Sequence, residues 1–120
     1  MTRRCLIESK LAAIALTTQY TALPRVANNA KTANRVDIDH FLIGPPATGS
    51  DTIKVYLVPS GGTAGPSNLV LTKTLASTDG TYTCPEIVGQ VLEPGDFIAT
   101  SSTAGLMPIR AAGDEQAAPT

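Results

Sequence analysis

Apolar and polar residues alternate along most of this chain, with the period of two that places successive side chains on opposite faces of a β-strand. The clearest case is residues 52–59, TIKVYLVP, where Ile53, Val55 and Leu57 face one way and Lys54, Tyr56 and Val58 the other, with Pro59 as the stop. Residues 35–43, RVDIDHFLI, read as a strand with Val36, Ile38 and Leu42 on one face and Asp37, Asp39 and Phe41 on the other. Residues 69–75, LVLTKTL, alternate again, with Leu69, Leu71 and Leu75 opposite Val70, Thr72 and Thr74. A short strand is predicted over 81–84, and two closing strands over 97–100 and 106–111. Pro108 inside the last of these predicts a sheet edge, because proline cannot donate to a ladder.

The punctuation between these runs is turn chemistry. Pro24 and Asn28-Asn29 mark a polar connector over 23–34, and Gly44-Pro45-Pro46 opens an irregular stretch to Asp51. Ser60–Asn68 reads as a flexible loop, Asp79-Gly80 as a tight reversal, and Pro94-Gly95 as a turn. Residues 3–16 are ambiguous. Ile7, Leu11 and Ile14 stand at helical spacing, yet there is no clear N-cap and the segment runs into the strand-like Thr17–Thr21; one or two strands are the reading taken. The sum is seven or eight short strands at the spacing of an all-β fold, a small jelly-roll-like β-sandwich. The expected organisation is a single β domain over 1–111, with a basic N-terminal arm over about 1–17 and a flexible tail over 112–120.

Composition fits that picture. The 120 residues suffice for one domain. Leu, Ile, Val and Phe total 28 of them, and with aromatic content at 4% and no Trp the core must be aliphatic. Thr occurs 16 times and suits half-exposed strands. The net charge is −1, but residues 1–35 carry six basic residues and one acid (+5) while 36–120 carry three basic and nine acidic (−6). Opposite signs in the two parts allow attraction within a molecule or between neighbours; a random split of surface charge gives the same numbers. The longest apolar run, Leu11–Leu16, is far below the ~20 residues of a membrane span. Met1-Thr-Arg-Arg before it faintly resembles a signal peptide, but Glu8 and Lys10 interrupt the pattern, so secretion by that route is not expected.

Candidate chemistry is sparse. His40 is the only histidine; strict alternation sets Asp37 and Asp39 on one face and His40 on the other, so one strand does not close a metal site. Cys5 and Cys84 form no CxxC or Cys/His cluster, which leaves two free thiols or a bridge within or between chains. A Cys84–His40 nucleophile pair lacks any motif for an orienting group or oxyanion hole. Ser60–Gly65 is glycine-rich without the Gly-Lys-Ser/Thr ending of a phosphate loop. Glu86, Glu93 and Asp96 read as solvated turn residues, since nothing fixes their separation. Arg3, Arg4 and Lys10 lack interleaved aromatics, so nucleic-acid binding is not expected. No catalytic, cofactor-binding or metal-ligating residue is assigned, and an enzyme is not expected.

Three segments carry a resemblance: Val55–Gly65 (VYLVPSGGTAG), Thr81–Gly89 (TYTCPEIVG) and Leu92–Ile98 (LEPGDFI). Together they resemble small proteins encoded in the structural gene blocks of tailed bacteriophages and prophages, over roughly residues 35–111. The connector at 23–34 and the Pro-Pro loop at 44–51 depart from that pattern. The resemblance implies a virion structural protein, an oligomeric capsid-decoration or neck/collar component (trimer or ring) working through contacts with its own copies and with neighbouring virion proteins. A host-surface carbohydrate- or receptor-binding module is the alternative.

Overall fold

The computed structural model describes residues 2–22 and 34–117, with side chains from 5–22 and 35–116. Within them eight strands follow one another: β1 (Thr2–Leu11), β2 (Thr17–Thr21), β3 (Asn34–Ile43), β4 (Ser50–Val58), β5 (Leu69–Ala76), β6 (Val91–Leu92), β7 (Phe97–Ser102) and β8 (Pro108–Ala117). The connector read at 23–34 lies outside the described residues except for Asn34. The ambiguous front segment is β1 and β2, so the strand reading holds there.

The strands pair by a simple rule. β1 pairs with β8, β2 with β7, β3 with β6 and β4 with β5, all antiparallel. Two further antiparallel pairings, β3 with β8 and β4 with β7, join these hairpin-like pairs into two sheets, ordered β1-β8-β3-β6 and β2-β7-β4-β5. That order is the eight-stranded jelly roll, two Greek keys rolled face to face. Rolling lets each sheet bury one face against the other. Ile7, Val36, Ile38, Phe41, Ile43 and Ile109 line the core from one sheet, and Ile53, Val55, Leu71, Leu75 and Ile98 from the other, all at or below 5% exposure. Phe41 is the single fully buried ring; the rest of this core is aliphatic apart from small plugs such as Ala12, Ala22 and Cys84.

Several expectations are corrected. Register shifts between Ile38 and His40 in the β3–β8 ladder, which puts a bulge at Asp39. Beyond it the inward face passes to Phe41 and Ile43, while His40 and Leu42 turn outward. Strict alternation, which grouped Leu42 with Val36 and Ile38, therefore fails halfway along the strand. Pro108 is not at a sheet edge: β8 lies between β1 and β3. Proline is accommodated as the strand's first residue, where no ladder donor is needed, and its carbonyl accepts from Gly44 N at 2.8 Å. The strand read at 81–84 shrinks to one bridge, Tyr82 with Ile43. Finally, 112–117 is the second half of β8, and β1 is a full sheet member; neither is an extended appendage.

Candidate interaction surfaces

Chain direction sorts the loops into two poles. β1, β3, β7 and β8, with the ladders of β2, β4 and β5, place the 11–16, 44–49 and 103–107 connections and the 77–80 turn at one pole. The other pole holds the 59–68 and 93–96 loops and the described ends at Thr2, Ala22, Asn34 and Ala117.

The first pole is a crown of interlocked loops. Ala12 N donates to Met107 O at 2.9 Å, and Ser102 Oγ donates towards the carbonyls of Ala12 and Ala13 at 3.2 Å each. Asp51 anchors it from below. Its carboxylate, 2% exposed, accepts from the backbone N–H groups of Thr52 and Ala104 at 2.8 Å and of Leu106 at 2.9 Å. Buried acceptors need such donors, and here two of the three are loop amides 53 and 55 residues away along the chain. What this anchored crown shows to solvent is apolar. Leu11, Ile14 and Leu16 are 58%, 60% and 51% exposed, and Leu106 is 36% exposed. The 11–16, 44–49 and 103–107 segments contain no charged residue.

The residues singled out for chemistry do not converge. The bulge puts Asp37 and His40 on the same outer face, opposite Asp114 and Ala112 respectively, which corrects the face assignment made from alternation. No group of three metal-holding side chains exists among the described residues. Asp39 and His40 line a hollow of about 280 Å³ with Phe41, Leu42, Thr83, Pro85 and Val88; Cys84 does not line it. Cys84 is buried and Cys5 exposed, and both are free. Burial, with the negative charge of Glu86, pushes the Cys84 thiol up to about 12, against a smaller opposing pull from Lys73. It is therefore a protonated core group and a poor nucleophile.

Glu86 is held by Tyr82, whose hydroxyl donates to its two oxygens at 2.5 and 2.8 Å. That bond drives the tyrosine up to about 12 and the glutamate below its ordinary range. Lys73 Nζ sits 4.4 Å from the centre of the Tyr82 ring, a cation–π contact that links β5 to the 82–86 turn. Asp96 accepts from Ser60 N and Glu93 N, and Glu93 lies 3.5 Å from Arg35. These acids are turn fasteners. Ser60–Gly65 is part of the β4–β5 connection, tied by Asn68, whose side chain accepts from Gly65 N and donates to Thr63 O. Arg3 and Arg4 occupy register positions opposite Asp114 and Gly113. The 44–51 and 60–68 loops, either of which a carbohydrate-binding reading would use, lie at opposite poles.

Sequence reasoning missed the crown. Its signal was present: Leu11–Leu16 joins two strands without a single Gly, Pro, Asn, Asp or Ser, the residues connections normally use. Among the described residues no helix is long and apolar enough to cross a membrane. Compared with known proteins, the chain matches no family model, no curated protein and no solved structure.

Proposed function

We propose that this chain is a structural component of a tailed-phage virion, a capsid-decoration or neck/collar protein that acts through contacts with copies of itself and with neighbouring virion proteins. The setting comes from the three segments that resemble phage structural proteins. Jelly rolls serve viral capsids, lectins and cupins alike, so the fold agrees with this role without selecting it.

The observation that carries the contact reading is the crown. Aliphatic side chains displayed on charge-free loops, and anchored by a buried carboxylate, suit a surface that another protein covers. A sugar site is less well served, because neither the 44–51 nor the 60–68 loop carries an aromatic side chain for a sugar to stack on.

Reconstruction of particles from a phage that encodes this chain tests the role. Density for the jelly roll on the head or neck exterior is the expected result. Particles that assemble, infect and contain no copy of the chain would remove the proposal. Glycan binding that mapped to the 44–51 or 60–68 loop would replace it with host recognition.

A further inference from the structure

The crown has a self-complementary layout. Leu11, Ile14, Leu16 and Leu106 occupy its apolar part, and charge returns at its two flanks. Lys10 ends the charged part of β1, the edge strand of one sheet. Asp79 stands in the turn after β5, the far edge strand of the other sheet. Because β1 lies over β2, these edges are on opposite sides of the sandwich. Lys10 and Asp79 are both exposed, and the turn holding Asp79 is fastened to the crown by Ser77 N donating to Gly49 O at 2.8 Å. Lys54 borders the crown, lining a hollow with Ile14, Thr52 and residues 101–103, and Arg110 lies on the outer face of the other sheet beside His40 and Leu42.

What could cover this surface is narrowed by chain geometry. The residues of this sequence outside the described set attach at Thr2, Ala22, Asn34 and Ala117, all at the opposite pole. Ala22 and Asn34, the described residues on either side of the 11 between them, both lie at that pole, and a chain spans at most ~3.5 Å per residue.

We infer that the occupant is a second copy of this chain, docked crown to crown about a two-fold axis perpendicular to the long direction of the strands. Such an axis exchanges the two flanks, so Lys10 of each copy faces Asp79 of the other, while the aliphatic centres meet. An isologous contact of this kind needs one patch that complements itself. The contact rests on the reading of the chain as self-associating. It does not depend on where in a particle the chain sits, so particle reconstruction and the solution test below can fail separately.

The test is sedimentation equilibrium of the purified full chain from low-micromolar to near-millimolar concentration, with thermal melts to verify folding. Wild type is expected to be a concentration-dependent dimer. Ile14→Asp and Leu16→Asp, both at exposed positions, are expected to weaken it by at least about tenfold in Kd. Lys10→Asp and Asp79→Lys each place like charges at both flanks and should be monomeric alone. Mixed together they restore both opposite-charge pairs, and the dimer returns as a heterodimer. A monomer at every concentration, a trimer, a dimer indifferent to Ile14→Asp, or a mixture of the two charge variants that stays monomeric would each overturn the inference.

Discussion

At the scale of single residues, two buried groups do work that their neighbours in sequence do not announce. Asp51 sits where an irregular loop enters β4, yet its carboxylate fastens loop amides from residues 104 and 106. Asp51→Ala leaves those donors with no buried acceptor. The expected loss is about 3 kcal/mol, read as a lower urea midpoint with an unchanged slope. Cys84 holds its proton up to about 12 in the folded chain, against an ordinary thiol value near ~8.5. The native state thus retains a proton that the unfolded chain releases. The thiol's contribution is complete below the ordinary thiol range and disappears as pH rises through 9 towards about 12. Stability should therefore decline over that alkaline window, and less steeply in Cys84→Ala; equal slopes would contradict the assignment. In a thiol-reagent assay Cys5 should react in the native chain and Cys84 only on unfolding.

At the scale of elements, bulges decide which side chains enter the core. β3 begins with Val36 and Ile38 inward, spends one residue at Asp39, and continues with Phe41 and Ile43 inward. The facing residue of β8 is Gly113, opposite Ile38. A Cβ there would lie 2.3 Å from the backbone oxygen of Asp37 and 3.2 Å from Leu6 Cδ1. Backbone does not yield as a side-chain end does, so Gly113→Ala should destabilise by about 1–3 kcal/mol and lower Tm by several degrees. An unchanged melting curve would mean that the β3–β8 register differs from the one described. β5 shows a different device. Lys73, paired with Ile53 on the inward side of an edge strand, reaches the Tyr82 ring and charges an edge that would otherwise invite strand addition.

At the scale of the whole molecule, the jelly roll makes the chain's far ends neighbours. β1 pairs with β8, and β8 is central to its sheet, so the first and last described strands are both needed to close one side of the core. Truncation after Ala111 removes the half of β8 that faces Thr2–Cys5 on one flank and Asn34–His40 on the other. It should abolish cooperative unfolding, as followed by calorimetry. A truncated chain with a sharp thermal transition would show that 112–117 is dispensable. The same topology separates the poles, leaving one with an exposed aliphatic centre on charge-free loops and gathering Arg35, Glu93, Asp96 and Glu115 towards the other.

Much of this was legible in the linear chain, because alternation, prolines and glycines act locally. The class of fold, the near-complete set of strands, the aliphatic core and the β4–β5 connection all follow from neighbours within a few residues. Faces on β4, and on β5 from Leu71 onward, also came out as alternation predicts, whereas a bulge sets Leu69 opposite Tyr56 and packs Val70 against the core. What local pattern could not supply depends on partners distant in sequence. The Asp39 bulge turned Phe41 inward, and the β1 and β3 ladders made a strand of a supposed tail. Pro108 was tolerated in a central strand because it comes first, and Asp51 found its donors across the crown. Side-chain alternation is a property of one strand, whereas register, burial and the company a carboxylate keeps are properties of the pairing, and pairing exists only once the sheets have closed.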